Sequence, residues 1–450
     1  MNPNQQKNRT GFVTLASFFA VFAILVLGPG MLRAQWNPNT SVNLLLSSFT
    51  DDVQLAAPTT DGKTWIAFYS QTSGNYAMRA QLLDANGYKL LGPDGIMVSN
   101  QPSGTATFVF NICLDAANNL IIAMQDLRSG MNAYLYKIDQ SGNHLWSPNG
   151  VLLGGGLSPN PTVLTTGETI VCWDETASAT LNLQKISVSG TTVWATPIQV
   201  KVGITRTTRG QIVANSGGKF TMLIQRRGVG INTTLWAQAF DNSGTALYSP
   251  VQLSTQGSSA ARYYSILADA DTTYFGYYVS PGSRFNSFLQ RLNPGGTIPW
   301  GINGSNFNTA VGTTDNYQMV TDINMQPGSN YIYSVANMCN TLQSQYGIYV
   351  QKFLKTTGAR QFTDAAKVVY PISTTRDQHI DRIAMITDGP MFMAYTDSDY
   401  KIYAVRLDAS GNFVWPGNKV ELSSTPTPSQ PKMRFNFTPI GPNKCAGAGI

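Results

Sequence analysis

The chain repeats one pattern seven times, and this periodicity limits its fold more than any other feature. One copy reads Gln81-Leu82-Leu83-Asp84-Ala85-Asn86-Gly87, followed by Gly95-Ile96-Met97-Val98. Another runs from Tyr136-Lys137-Ile138-Asp139 through Gly142 to Trp146, then Gly150-Val151-Leu152. The pattern returns around Gln184, Gln238, Gln290, Gln351 and Arg406, each time with a glycine and then an aromatic residue. The marker glycines are Gly87, Gly142, Gly190, Gly244, Gly296, Gly358 and Gly411, spaced 48 to 62 residues apart. The segment before each marker alternates apolar and polar residues, as strands do. The Asp/Asn-x-x-Gly step supplies a turn in which glycine takes a positive φ at little cost.

Four antiparallel strands in a unit of this length make a β-propeller blade, which buries both faces against its neighbours. The expected fold is therefore all-β, with seven full blades. A composite eighth blade is expected to close the ring, assembled from Trp36–Val42 and the stretch after Gln430. The alternative is a seven-bladed ring with peripheral ends. Trp146, Trp194, Trp300 and Trp415 then read as equivalent, largely buried packing residues. The composition agrees. Only 12% of residues are charged, with 41 Gly, 23 Pro and 20 Tyr, which suits neither helical bundles nor a disordered chain.

Residues 1–34 read as a secretory signal. Lys7 and Arg9 precede an apolar run from Phe12 to Gly28, and Leu32-Arg33-Ala34 offers a cleavage site before Gln35. The competing reading is an uncleaved anchor, but the run is short for spanning and Gly28-Pro29-Gly30 breaks it. The expected organisation is a signal over residues 1–34 and a single propeller over residues 35–450, with no transmembrane segment after cleavage. Cleavage removes Lys7, Arg9 and Arg33 and no acid, lowering the net charge from +6 to +3. Nucleic-acid binding thereby loses its electrostatic support. Cys113, Cys172, Cys339 and Cys445 are far apart in apolar contexts and read as buried thiols rather than a disulfide framework.

The pattern Gln-x-Leu-Asp-x-x-Gly-x-x-x-Trp-x-x-x-Gly-x-x-Val resembles repeats in secreted β-propeller proteins of Bacteroidetes-type bacteria, from Trp36 to about Ile450. That resemblance implies export, in many members through the type IX secretion route. The C-terminal sorting domain common in that group is not recognisable here, so periplasmic, outer-membrane-associated and extracellular residence all stay open. The resemblance implies an architecture, and fold alone licenses no activity.

Catalytic chemistry is thinly represented. Asp408-Ala409-Ser410-Gly411-Asn412-Phe413-Val414-Trp415 departs from the sialidase Asp-box, having its acid one place early and no leading serine. Glu168, Glu175 and Glu421 are the only glutamates, and His144 and His379 the only histidines. Asp269 with Asp271, and Asp397 with Asp399, read as turns, since calcium wants six to eight oxygens. No catalytic residue, metal or cofactor is expected. The arginines are more informative. Arg206, Arg209, Arg226, Arg227, Arg262 and Arg284, with Tyr263 and Tyr264, fall near connections expected on one face of the ring. Guanidinium groups beside tyrosines suit carboxylates, phosphates or an acidic protein surface. The expected function is a non-catalytic exported propeller binding protein or glycan through its loop face, with outer-membrane proteins as further candidate partners. The alternatives are a glycosidase-like propeller or a subunit of an outer-membrane or secretion assembly.

Overall fold

Runs of β-branched and aromatic residues bounded by Gly, Asn and Asp turns pair with their sequence neighbours as antiparallel hairpins. A computed structural model describes residues 39–72, 75–101, 109–175, 177–204, 206–227, 233–256, 264–279, 285–309, 317–387, 389–396, 398–424, 436–441 and 444–448. Seven four-stranded antiparallel sheets result, each built from four consecutive strands. The second blade is representative: Phe110–Leu114, Leu120–Asp126, Asn132–Ile138 and Val151–Gly155, from innermost to outermost. First strands of successive blades are neighbours, which arranges the sheets around a ring.

Alternation along one strand feeds two cores. Leu120, Ile122 and Met124 pack against Trp65, Ala67 and Tyr69 of the first blade. Ile121 and Ala123 of the same strand pack against Val171 and Trp173 of the third. Every residue of Leu120–Asp126 is buried in consequence. A sheet covered on both faces reads as a continuous apolar run.

The repeat signature has a mechanical meaning. Gln184 Nε2 donates to the Trp194 carbonyl at 3.0 Å, while its Oε1 accepts from Lys185 N and Trp194 N. Gln351 does the same around Phe362 and Thr363, and Gln81 around Leu91 and Gly92. Each glutamine therefore clamps the chain between the third and fourth strands of its blade. The turn acid works locally, with Asp139 Oδ1 accepting from Ser141 N and Asn143 N. Those bonds hold its carboxyl below the usual range although its limited burial opposes them. Gln238→Leu removes the 2.9 Å bond to the Tyr248 carbonyl and leaves that acceptor unpaired. The expected cost is about 1–3 kcal/mol, read by urea unfolding.

The marker glycines join blades as well as strands. Gly190 has φ +90°, and a Cβ there would lie 2.5 Å from the Trp146 ring of the preceding blade. Gly244 seats Trp194, Gly296 seats Tyr248, Gly358 seats Trp300 and Gly411 seats Phe362 in the same way. Trp146 is 5% exposed, and its Nε1 donates to the Val188 carbonyl at 2.9 Å. The expectation of uniform burial needs correcting, because Trp194, Trp300 and Trp415 are only half-buried. These rings sit just before the short outermost strands, where one edge meets solvent.

The composite eighth blade is also corrected: among the described residues the four-stranded blades number seven, as the seven-bladed alternative has it, while residues 36–38 and 430–435 of the expected eighth lie outside them. Among the described residues the hairpin Asn436–Gly441 with Lys444–Ala448 forms a two-stranded sheet of its own, its first strand lying between the innermost strands of the seventh and first blades. The described N-terminal residues do not complete a three-stranded sheet with it, because their contacts lie elsewhere. Ser424 N donates to the Thr40 carbonyl at 2.9 Å and Ser423 Oγ to Asn43 Oδ1 at 3.0 Å. Further along, Ser48 N donates to Asp94 Oδ1 at 2.6 Å, and Leu44 and Leu46 pack on Ile66, Phe68 and Leu83. This segment therefore straps the seventh blade to the first. Cys172 and Cys339 are buried free thiols and Cys113 a half-buried one, while the side chain of Cys445 lies outside the described residues. Residues 1–34 lie outside them too. No helix among the described residues is long and apolar enough to cross a membrane.

Candidate functional site: the loop face

Sequential antiparallel strands send their connections to two opposite faces. Turns between first and second strands, and between third and fourth, share one face, called here the turn face. Inter-blade connections and the turns between second and third strands share the other, the loop face.

Charge on the turn face holds blades together. Lys355 of the sixth blade pairs with Asp269 of the fifth at 2.6 Å, and Lys219 of the fourth with Asp271 of the fifth, while Lys137 pairs with Asp115 at 2.9 Å within the second blade. Burial disfavours the charged Asp115, but the bonds from Lys137 and Asn119 outweigh it and keep its pKa low. A second series links blade to blade around the ring. Lys185 Nζ bonds Asn242 of the next blade at 2.9 Å, Arg291 Nη1 the Lys355 carbonyl at 2.6 Å, and Lys352 Nζ the Ala409 carbonyl at 2.8 Å. Asp269 and Asp271 are thus committed to lysines. No group of three or more His, Cys, Asp or Glu side chains converges among the described residues.

The loop face carries the arginines. Arg206 lies in the connection entering the fourth blade, and its carbonyl accepts Arg227 N at 2.8 Å. Arg226 is registered between Thr207 and Thr234, and its guanidinium lies 5.9 Å from the Trp236 ring centre. A Cβ at Gly203, where φ is +69°, would come 3.0 Å from the same guanidinium, so the chain passes directly over it. Trp236 is tied down by its Nε1 bond to Thr234 Oγ1 at 3.0 Å. The structure therefore brings Arg206, Arg226 and Arg227 to one rim of the fourth blade, with Arg227 exposed and the other two half-buried.

Arg209 does not belong to that connection, which corrects its expected place. The innermost strand of the blade begins at Thr207, and Arg209 lies inside it, at a bulge between Thr208 and Gln211. The strand starts early because Thr207 N donates to the Ala179 carbonyl and Thr208 Oγ1 to Asp174 Oδ2, at 3.0 and 2.5 Å. Tyr264 opens the innermost strand of the fifth blade, paired with Tyr277, and its side chain lies outside the described residues. Arg262, Tyr263 and Arg284 lie outside them altogether. Glu175 caps its own turn by accepting from Ala177 N at 3.0 Å.

Sequence reasoning passed over three aromatic or basic groups on this face. Trp236 lies in the strand Thr233–Phe240, Arg376 stacks 4.8 Å from the Tyr346 ring, and Arg128 stacks 4.0 Å from Tyr134. A basic residue one place outside a repeated motif offers no periodic signal.

No family model matches the chain, and no curated protein matches it. Solved structures do. A polysaccharide lyase of family PL25, an ulvan lyase, superimposes with a TM-score of 0.51 at 10% identity, over 79% of this chain and 92% of that one. The structure of an ulvan lyase of that family bound to -[GlcA(1-4)Rha3S]- gives 0.50 at 10% identity, over 82% and 96%. The Dos1 propeller gives 0.47 at 10% identity, over 87% and 88%. At such identities the likeness concerns the fold. This chain is a β-propeller whose structural neighbours include glycan-acting enzymes.

Proposed function

We propose that this chain is an exported, non-catalytic propeller that binds an anionic glycan or an acidic protein surface through its loop face at the bacterial cell envelope. The observation that carries the reading is the gathering of Arg206, Arg226 and Arg227 on one rim, beside Trp236. The motif residues, by contrast, are used to clamp turns and seat aromatics between blades. Arginine beside an aromatic ring suits carboxylate, sulfate or phosphate groups, and such pairs concentrate at interfaces. A glycan ligand is compatible with this fold, since the ulvan lyase structure holds one.

The test uses the purified chain against polygalacturonate, a sulfated polysaccharide, an acidic protein and neutral dextran. Binding to an anionic probe is expected to weaken as salt rises, because exposed charges are screened within about 8 Å at physiological ionic strength. Replacing Arg226 and Arg227 by Ala is expected to weaken it about tenfold, or ~1.4 kcal/mol. Arg227→Ala alone, at an exposed position, is expected to shift stability by under about 0.5 kcal/mol. Salt-insensitive binding that survives both substitutions, or turnover of a polysaccharide, overturns the reading.

A further inference from the structure

The two most exposed large hydrophobic side chains among the described residues both lie on the loop face. Ile204 is 92% exposed and Leu342 84%, well above the 68% of Leu45, the next in order. Ile204 follows Gly203 in the connection into the fourth blade, two residues before Arg206. Leu342 sits in the turn that joins the second and third strands of the sixth blade. A single apolar side chain in solvent needs no explanation. The surroundings give these two a meaning.

Each stands beside an arginine laid over an aromatic ring. At the fourth blade the chain crosses at Gly203 above the Arg226 guanidinium, which lies 5.9 Å from the Trp236 ring centre. At the sixth, the Arg376 guanidinium lies 4.8 Å from the ring of Tyr346, the residue that opens the strand after the Leu342 turn. Arg376 comes from the next inter-blade connection, in which the Thr375 carbonyl accepts Tyr346 N at 3.4 Å. The turn is held by Asn340, whose Oδ1 accepts from Ser344 N at 2.9 Å and Gln345 N at 3.2 Å. Leu342 is therefore presented by an ordered hairpin.

Among the described residues Arg206, Arg227 and Arg376 form no ion pair. The neighbouring acids are turned to other uses. Glu175 caps its own turn, Asp174 accepts from Thr208 Oγ1, and Asp377, only 7% exposed, accepts from Thr375 Oγ1 at 3.1 Å. The second blade differs, because Arg128 stacks on Tyr134 but is paired with Asp126 at 2.6 Å.

An anionic glycan answers half of this chemistry. It offers carboxylates or sulfates to the arginines, but its hydroxyl-covered rings give little apolar area to an isoleucine or leucine tip. Trp236 and Tyr346 each already carry a guanidinium over the ring, which limits sugar stacking. Arginines, aromatic rings and projecting aliphatic side chains together match the make-up of a protein interface. A second copy of the chain would set arginines against arginines, so the complementary surface is acidic.

We propose that the loop face binds a protein whose contact surface sets apolar side chains among carboxylates, covering Ile204 on the fourth blade and Leu342 on the sixth. The inference rests on the loop-face reading above and chooses between its two ligand classes.

Fluorescence anisotropy on the intact chain tests it with three probes: a labelled peptide alternating Glu and Ser, the same peptide with every second Ser replaced by Leu, and polygalacturonate. The leucine peptide is expected to bind about tenfold tighter than the other two, as burial of even one leucine allows. Ile204→Ser and Leu342→Ser, at exposed positions where the fold is insensitive, are each expected to weaken the leucine peptide alone, by about tenfold. Replacing Arg227 and Arg376 together by Ala is expected to weaken all three probes. Val188→Ser, at an exposed valine of the turn face, is expected to change none. Equal affinity for the two peptides, or polygalacturonate bound as tightly as the leucine peptide and unaffected by Ile204→Ser and Leu342→Ser, overturns this inference and leaves the anionic-glycan reading standing. Self-association of the chain that Leu342→Ser abolishes also overturns it. Failure of all three probes to bind overturns the loop-face reading with it.

Discussion

Trp146→Ala is expected to lower the unfolding free energy by about 3–5 kcal/mol, the range for removing a fully packed large aromatic side chain. The ring is 5% exposed, lies in the core between the second and third blades, and reaches the Val188 carbonyl through Nε1. Its loss leaves a cavity above Gly190 and an acceptor without its donor. Trp415→Ala should cost clearly less. Its ring is half-buried, belongs to the last blade, and has no marker glycine of a following blade beneath it among the described residues. Urea unfolding of both variants checks the ordering, and equal costs would contradict the inter-blade account of the aromatic repeat.

The second large effect concerns the glycine under that ring. Gly190→Ala is expected to cost about 2–5 kcal/mol, from two sources. An L-residue held at positive φ costs roughly 1–2 kcal/mol, and overpacking a tight contact roughly 1–3 kcal/mol. Gly92→Ala separates them, because Gly92 has φ +78° with nothing within 4 Å of a Cβ. It should cost only the conformational part, about 1–2 kcal/mol. If the two variants are equally destabilised, the glycine serves the turn alone and does not seat the tryptophan.

These two positions show how much of the molecule could be read from its residues. Gln184, Gly190 and Trp146 each announced a blade because they recur at one spacing, and recurrence survives the absence of any three-dimensional information. The number of four-stranded sheets followed from counting the motifs. Closure did not, because the partners of Thr40 and Asn43 are Ser424 and Ser423, some 380 residues away, and such contacts leave no local trace. The circumferential latches were missed for a related reason. Lys185, Arg291 and Lys352 each reach the following blade, 57 to 64 residues on, so the sequence records only a basic residue after the glutamine.

The candidate site was legible in part. Arg226 and Arg227 end a strand, and the hairpin they lead into had to emerge on the same face as the connection carrying Arg206. Arg209 was placed in that connection because nothing in Thr207-Thr208-Arg209-Gly210 signals a strand start. The start is set by Ala179 and Asp174 of the preceding blade.

Hydrogen exchange of the intact chain, with and without a bound sulfated polysaccharide or polygalacturonate, tests the central claim most directly. Function on the loop face predicts slowed exchange around Arg206–Thr208 and Gln225–Arg227, with the marker turns at Gly142, Gly190 and Gly244 unchanged. Slowed exchange confined to those marker turns would put the binding surface on the opposite face and contradict the account.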